Sequence, residues 1–373
     1  MRIAFAIDSF KGSLGSIEAG TAAAEGAKRA IPGVECEVCP LADGGEGTVA
    51  ALVEGLKGDL RRVTVTGPAG RPTVAEYGVV GDLAVMEMAQ AAGITLVSGE
   101  EKNPLVTTTF GVGEMIRDAI ARGCRRFIVG IGGSATNDGG AGMLQALGFR
   151  LLDRDGAELA RGGAALKDLA RIERDGAMPE LRDCAFRIAC DVTNPLCGEK
   201  GASAVFGPQK GATPAMVREL DAALAHFASV SGGDASFPGS GAAGGLGFAF
   251  RAFLGGELKS GVDIVLEETR FEEAVRRADV VVTGEGRLDA QTVMGKAPIG
   301  VARLAKRHGK AVIAFSGCVT PDAGVVNGHG IDAFFPILRA PVSLEEALDK
   351  NNAASNLAAT AEQAFRCFRL GQR

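Results

Sequence analysis

The chain has 373 residues, 46% hydrophobic and 23% charged, a composition typical of a folded globular protein long enough for two domains. Its net charge is −5 and its lysines and arginines are scattered, so no basic stripe marks a nucleic-acid partner. Tryptophan is absent and tyrosine occurs once, which leaves little support for stacking on bases.

Short apolar runs alternate with helical patterns along the chain. Strands are predicted at residues 3–7, 34–41, 61–66, 73–80, 83–88, 127–130, 186–191, 280–283, 311–316 and 332–336, with a further hairpin from 149–152 and 157–159. Helices are predicted at 17–30, 48–56, 109–122, 214–229, 248–254, 299–308 and 344–368.

The alternation predicts an α/β fold with two domains. The strands that begin near residues 3, 34, 127, 280 and 311 alternate with helices, which favours one doubly wound parallel sheet of the flavodoxin or Rossmann kind. The intervening segments contain hairpins and predict a second, mixed α/β domain inserted into the first. The predicted domains are 1–61 + 106–148 + 269–373 and 62–105 + 149–268.

The N-terminal apolar run ends at Asp8, which makes it too short for a signal peptide. No apolar stretch approaches the roughly 18 residues that a membrane span needs. We therefore expect a cytoplasmic protein with neither a membrane nor a nucleic acid as its partner. The sequence leaves the oligomeric state open, a homodimer included.

A glycine-rich string, GIGGSATNDGGAGMLQALG at residues 130–148, follows an apolar run and leads into an apparent helix. Glycine lets the main chain approach a ligand closely, and a helix N-terminus favours an anion. The string therefore predicts a phosphate-binding loop, although such loops also connect ordinary α/β elements. Its candidate phosphate-binding residues are Gly132, Gly133, Ser134, Asn137 and Gly139.

Two further segments, ADGGEGT at 42–48 and TGEGRLDAQT at 283–292, also follow strands and combine glycine with carboxylates. Carboxylate oxygens are ligands that Mg²⁺ prefers, so these loops and the glycine string predict a magnesium site. The candidate ligands are Glu46, Asp138, Glu285 and Asp289, of which Glu285 or Asp289 is alternatively only a helix cap.

The segment DSFKGS follows the first strand and places Asp8, Ser9 and Lys11 at the carboxyl edge of the sheet, where ligands bind. Asp8 is alternatively a helix cap. Lys11 is a mobile point charge that suits a phosphate or a carboxylate.

Four further side chains are candidates for the chemistry. Asp191 and Asn194 follow another strand and either contact substrate or form an Asx turn. Lys210 is either a phosphate ligand or an exposed surface lysine. Arg287 can make bidentate contact with a carboxylate or phosphate.

Two glycine patterns fit the dinucleotide-binding fingerprint loosely, at residues 130–135 and 239–244. The first continues into a polar, glycine-rich segment, and the second follows Pro238 rather than a strand. No P-loop motif is present. An NAD-dependent hydroxy-acid dehydrogenase and a non-catalytic ligand sensor remain as weaker alternatives.

Nine segments together resemble the glycerate kinase type 1 family. The resemblance runs from Asp8 to Ala302 and continues more faintly to the C-terminus. Gly15 and Ala290 stand where relatives often have serine. The segments are DSFKGS, ADGGEGT, GIGGSATNDGGAGMLQALG, CDVTNPL, FGPQKGA, GAAGGLG, LKSGVD, TGEGRLDAQT and GKAPIG.

This resemblance implies phosphorylation of D-glycerate by ATP with Mg²⁺, usually at the 2-hydroxyl, in a two-domain fold with its active site in the interdomain cleft. We place catalytic roles on Asp191 as base and on Lys11 and Arg287 as cations for the substrate carboxylate or the transferred phosphate. Asp8, Ser9, Asp43 and Asn194 are assigned to substrate, and Lys210 to the ATP phosphates with the glycine string. A kinase that forms 3-phosphoglycerate, or one acting on another small hydroxy acid, stays open.

Overall fold

A computed structural model describes residues 1–45 and 47–371 and confirms the α/β class. The strands are β1 (Arg2–Ile7), β2 (Glu35–Pro40), β3 (Asp59–Thr66), β4 (Pro72–Val80), β5 (Leu83–Glu87), β6 (Arg126–Gly130), β7 (Arg150–Leu152), β8 (Arg171–Glu173), β9 (Ala185–Ala189), β10 (Glu257–Lys259), β11 (Val280–Leu288), β12 (Ala311–Val319) and β13 (Ala333–Pro336). The α-helices are α1 (Ser16–Ala30), α2 (Thr48–Leu56), α3 (Ala89–Ala92), α4 (Phe110–Ala121), α5 (Ala141–Ala146), α6 (Ala202–Phe206), α7 (Pro214–Ser231), α8 (Ala242–Leu254), α9 (Gly261–Glu268), α10 (Phe271–Arg277), α11 (Ala297–Arg307), α12 (Leu344–Leu348) and α13 (Lys350–Leu370).

The described chain divides into two compact units. The first comprises residues 1–43, 50–57 and 262–373, and the second comprises 44–49 and 58–261. Each unit contains its own main sheet.

The first unit contains a parallel sheet with the strand order β13-β12-β11-β1-β2. Ile3, Phe5 and Ile7 of β1 pack into one hydrophobic core, and Ala4 and Ala6 pack into another. Because successive side chains of a strand point to opposite faces, this division places a core on each face of the sheet. The chain moves outward from β1 to β2 in one direction and from β11 to β13 in the other, so the strand order reverses between β1 and β11.

The second unit contains a six-stranded sheet with the order β10-β9-β6-β5-β4-β3. Strands β5, β6, β9 and β10 are parallel, whereas β3, β4 and β5 form an antiparallel meander. The strands predicted at residues 61–66 and 73–80 are therefore present, and they pair with each other as β3 and β4. Phe127 of β6 and Phe186 of β9 stack with ring centroids 4.7 Å apart, within a large hydrophobic core of this unit.

The prediction that strand 127–130 joins the sheet of strand 3–7 is wrong. This strand, β6, pairs with β5 and β9 in the second sheet, and residues 106–148 lie in the second unit. A short apolar run is suited to any parallel sheet covered on both faces, so its composition does not specify its neighbours.

Smaller differences concern the ends of elements. The strand predicted at 280–283 extends to Leu288 as β11. The predicted hairpin is reduced to one bridge between Leu152 and Glu158, because β7 pairs instead with β8. The predicted C-terminal helix is broken into α12 and α13, where the Asp349 side chain accepts the N–H of Asn352 at 2.9 Å. None of the helices in the described part of the chain combines the length and apolar character of a bilayer span.

Candidate functional site

A cavity of about 330 Å³, which we call the charged cavity, lies in the first unit at the carboxyl ends of β11, β1 and β2. Its position coincides with the reversal of strand order, where ligands bind in open α/β sheets. Six of the predicted site residues line it. The lining residues are Asp8, Ser9, Lys11, Asp43, Glu285, Gly286, Arg287 and Lys296.

Asp8 follows β1 directly, and its carboxylate accepts the N–H of Ser9 at 2.7 Å. It does not cap α1, because the Glu18 side chain accepts the N–H of Gly15 at that helix start. Burial, followed by the negative charges of Asp43 and Glu285, raises the pKa of Asp8 to about 7, although the hydrogen bond from Ser9 and the charge of Lys11 oppose the shift. A carboxyl group with this pKa can accept and return a proton near neutral pH.

The raised pKa of Asp8 predicts a pH-dependent stability. Between pH 3.8 and about 7 the folded chain retains a proton that the unfolded chain releases, so the free energy of unfolding falls as pH rises through this range. The fall amounts to at most about 1.4 kcal/mol per pH unit. We expect Asp8→Asn to remove this contribution, so that the variant gains stability relative to the parent chain between pH 4 and pH 8.

Urea denaturation at these two pH values measures the effect. Asp155→Asn, at an exposed turn position, is the matched control and is expected to follow the parent profile. Parallel pH profiles for Asp8→Asn and the parent chain would contradict the raised pKa.

Glu285 and Asp289 differ in what their carboxylates do. Glu285 is 8% exposed, accepts the hydroxyl of Thr292 at 2.6 Å, and has a pKa raised by burial. Asp289 caps a short 3₁₀ turn by accepting the N–H of Gln291 at 2.9 Å. The expectation that one of the two carboxylates is a helix cap therefore applies to Asp289.

Lys296 lines the charged cavity, although no motif in the sequence indicates a role for it. Its Nζ lies 3.6 Å from an oxygen of Glu285 and 3.5 Å from an oxygen of Asp289. Arg287 is more exposed and lies 3.4 Å from Asp289. Lys296 was present in the segment GKAPIG, but a lysine just before a helix carries no signal of its own until the tertiary structure places it beside two carboxylates.

The predicted magnesium ligands are not assembled as one set in the described structure. No group of three His, Cys, Asp or Glu side chains among residues 1–45 and 47–371 is arranged to hold a metal. Glu46 lies outside the described residues. The carboxylates of Asp8, Asp43 and Glu285, which line the charged cavity, are the donor type that suits a hard divalent cation.

Asp138 does not fit its predicted metal role. It is fully buried and accepts four hydrogen bonds: from the N–H of Thr109 at 2.8 Å, its hydroxyl at 2.9 Å, and the N–H groups of Gly140 and Gly142 at 3.1 and 3.3 Å. Burial raises its pKa and these donors oppose the shift. With its oxygens engaged in this way, the carboxylate holds the start of α5 in place.

A second cavity, of about 450 Å³, lies in the second unit at the carboxyl ends of β5 and β6, and we call it the glycine cavity. At Gly130 a Cβ would lie 2.2 Å from the carbonyl oxygen of Gly44, so only glycine allows this close approach of two backbone segments. The lining residues are Gly44, Gly45, Val74, Glu87, Ala89, Gln90, Ile94, Thr95, Leu96, Gly130, Gly132 and Gly133.

Only part of the predicted phosphate loop is accessible. Gly132 and Gly133 are exposed and line the glycine cavity, whereas Ser134 is 7% exposed. Asn137 and Gly139 are buried, and the Asn137 amide donates to the hydroxyl of Ser203 at 2.9 Å. The structure thus does not place Asn137 or Gly139 where a phosphate could contact them directly.

Lys210 is neither a surface lysine nor an accessible phosphate ligand, because it is 1% exposed. Its ammonium group donates to the hydroxyl of Ser134 at 2.7 Å and to the carbonyl oxygen of Thr136 at 2.6 Å. Burial lowers its pKa to about 7, and the charge of Asp138 opposes the shift. Lys210 therefore stabilises the glycine string from inside the second unit.

Asp191 and Asn194 follow β9, as predicted, but neither lines the charged cavity or the glycine cavity as described. Asp191 is exposed and accepts the N–H of Gly261 at 3.2 Å. The Asn194 amide donates to the carbonyl oxygen of Lys200 at 2.8 Å, which ties its own loop together.

Carboxylates and cations gathered at the switch point of a parallel sheet, together with a glycine-lined cavity in a second unit, define an α/β protein with two candidate cavities for small ligands. The model of the glycerate kinase family matches residues 3–369, and the chain belongs to this family. It is 49% identical over 364 residues to the glycerate kinase of Halalkalibacterium halodurans, covering 96% of each chain. It is 48% identical over 372 residues to the glycerate 2-kinase of Escherichia coli K12, covering 96% of this chain and 98% of that one.

A solved structure supports the fold assignment. A crystal structure described as that of a glycerate kinase 2 from Salmonella typhimurium LT2 is similar to this chain with a TM-score of 0.91 and 47% sequence identity. The similarity covers 100% of this chain and 99% of the other, so both units have counterparts there.

Proposed function

We propose that this chain is a glycerate 2-kinase, which transfers the γ-phosphoryl group of ATP to the 2-hydroxyl of D-glycerate and yields 2-phospho-D-glycerate and ADP. The observation that carries the proposal is the charged cavity, where the cations Lys11, Arg287 and Lys296 occur beside carboxylates. The name of the Escherichia coli relative, which is 48% identical over 372 residues, supports the choice of hydroxyl.

The cavity suits a small hydroxy acid because it offers groups of both signs. D-glycerate has one carboxylate, which needs a cation, and two hydroxyls, which need acceptors. Lys11, Arg287 and Lys296 supply the cations, and Asp8 and Asp43 supply acceptors.

In the reaction, the 2-hydroxyl oxygen attacks the γ-phosphorus, the bond from that phosphorus to the bridging oxygen of ADP breaks, and the hydroxyl proton passes to a base. Asp8 is one candidate base, because it lines the cavity and its pKa is about 7. Asp191, the candidate from the sequence, is the other. Lys11 and Arg287 would stabilise the charge on the transferred phosphoryl group.

Magnesium is part of this proposal. When bound, Mg²⁺ neutralises charge on the phosphate oxygens of ATP. Asp43 and Glu285 would hold it, since they line the charged cavity with oxygens of the required kind. Asp289 is less suited, because it does not line the charged cavity and its carboxylate caps the 3₁₀ turn by accepting the N–H of Gln291.

The activity test uses the whole chain with D-glycerate, ATP and Mg²⁺. We expect ADP to form in a coupled assay, and phosphorus NMR to identify 2-phosphoglycerate as the product. Formation of 3-phosphoglycerate would contradict the 2-hydroxyl and support the alternative regiochemistry. Absence of ADP would contradict the kinase assignment itself, and L-glycerate serves as the control for stereochemistry.

A further inference from the structure

The glycine cavity has an apolar wall with no described side chain covering it. Val74 on β4 is 60% exposed, and the partly exposed Ile94 and Leu96 line the same cavity. The volume of about 450 Å³ lies within the range of small-molecule sites. An apolar wall of this kind suits a flat, uncharged ring system.

Polar groups at this cavity fit the edge of such a ring. Gln90 carries an amide that can both donate and accept, and Thr95 carries a hydroxyl. Glu87 is the lining carboxylate, and it already accepts the N–H groups of Gly47 and Val49 at 3.1 Å each. A purine base has apolar faces that suit the wall, and donors and acceptors around its edge that suit the Gln90 amide and the Thr95 hydroxyl.

The two walls of the cavity are joined by backbone hydrogen bonds. The N–H of Ile94 donates to the carbonyl of Gly133 at 2.8 Å, and the N–H of Ala135 donates to the carbonyl of Ala92 at 2.9 Å. The buried Lys210 side chain also donates a hydrogen bond to the hydroxyl of Ser134, the residue after Gly133. These hydrogen bonds fix the two segments relative to each other, and a preorganised cavity lowers the entropic cost of binding.

Charge distinguishes this cavity from the one assigned to glycerate. Among the described residues that line the glycine cavity, none is a lysine or an arginine, whereas Lys11, Arg287 and Lys296 line the charged cavity. A small carboxylic acid would therefore meet no lysine or arginine among the described residues of this lining. Beside the apolar wall, the exposed main chain at Gly132 and Gly133 permits close approach by a sugar or a phosphate.

From these observations we infer that the glycine cavity binds the purine nucleoside of ATP. The base would lie against Val74, Ile94 and Leu96, with its edge towards Gln90 and its phosphate-bearing end at Gly132. This inference rests on the proposed kinase function in that it takes ATP as the donor nucleotide.

Gly132→Leu is the principal test. Gly132 lines the cavity, a Cβ there meets no atom within 4 Å, and the backbone is not left-handed, so the fold can accommodate a bulky side chain at this lining position. Gly324→Leu is the matched control, because Gly324 is also exposed, also open around its Cβ and outside the cavity lining. The probes are ATP and adenosine, titrated by isothermal calorimetry, with circular dichroism to verify folding.

We expect Gly132→Leu to raise the Kd of both ATP and adenosine at least tenfold and to leave the KM for glycerate within twofold. Gln90→Ala, which adds no bulk, is expected to reduce the preference for ATP over GTP and is the second variant should Gly132→Leu not fold. Unchanged ATP and adenosine affinities in folded Gly132→Leu, or an equal loss in Gly324→Leu, would overturn the inference. Binding of ATP by the parent chain without phosphorylation of glycerate would reject the proposed function and leave the nucleoside site standing.

Discussion

Asp8→Asn is expected to lower kcat for glycerate phosphorylation by about 10²- to 10⁴-fold, the usual contribution of a general base. Asparagine has nearly the same shape and its side-chain oxygen can still accept the N–H of Ser9, so the local structure should persist. It cannot take the proton from the substrate hydroxyl. The measurement is steady-state turnover with saturating ATP and D-glycerate.

Asp191→Asn tests the competing base in the same assay. If Asp8 is the base, Asp191→Asn should retain most of the activity, because Asp191 is exposed and its oxygen can be replaced as acceptor for Gly261. Asp155→Asn is the control, because Asp155 lines neither the charged cavity nor the glycine cavity. A large loss in Asp191→Asn with near-parental turnover in Asp8→Asn would reverse the assignment.

Lys210→Met is expected to lower the free energy of unfolding by about 2–4 kcal/mol at pH 9.5. The reason is that Ser134 and the carbonyl of Thr136 would lose their buried donor, and each unsatisfied buried group costs about 1–3 kcal/mol. Methionine preserves most of the volume, so the lost hydrogen bonds should dominate over packing.

The same variant has a defined pH dependence. Because burial lowers the pKa of Lys210 from 10.5 to about 7, the unfolded chain binds a proton between these values that the folded chain does not. The stability contributed by Lys210 therefore increases from pH 7 towards pH 10, and the difference from Lys210→Met should be smaller at pH 6.5.

Urea denaturation at pH 6.5 and 9.5 measures this difference. Lys200→Met is the control, since Lys200 is exposed, and it should match the parent chain at both pH values. Equal stability of Lys210→Met and the parent chain at both pH values would mean that Lys210 does not support the glycine string.

The gathering of charged residues in the first unit could be predicted in part from sequence. Asp8 and Glu285 each follow or end an apolar strand run, and carboxyl ends of parallel strands meet at one edge of a sheet. The structure places both in one cavity with Asp43. The position of Lys296 could not be predicted from a strand end, because this residue precedes a helix. The 3₁₀ turn that Asp289 caps brings Lys296 close to Glu285.

The glycine string illustrates the opposite case. Its glycine content predicted that another group approaches its backbone closely. At Gly130 this is confirmed, because a Cβ placed there would lie only 2.2 Å from the carbonyl oxygen of Gly44. Composition did not distinguish approach to a ligand from approach to the protein's own backbone. Asn137, Asp138 and Gly139 pack inside the second unit, and Gly132 and Gly133 are the residues of the string that are exposed at the glycine cavity.

The α/β class, most of the strands and helices, and the glycerate kinase family could be predicted from the sequence, because periodicity, helix signals and motifs are local properties of the chain. The tertiary structure alone decided which sheet receives β6, that Lys210 is buried, and that Lys296 joins Asp8 at one cavity. These outcomes depend on contacts between residues distant in sequence. The free energies of burial and of strand pairing depend on these contacts, and a local sequence pattern does not specify them.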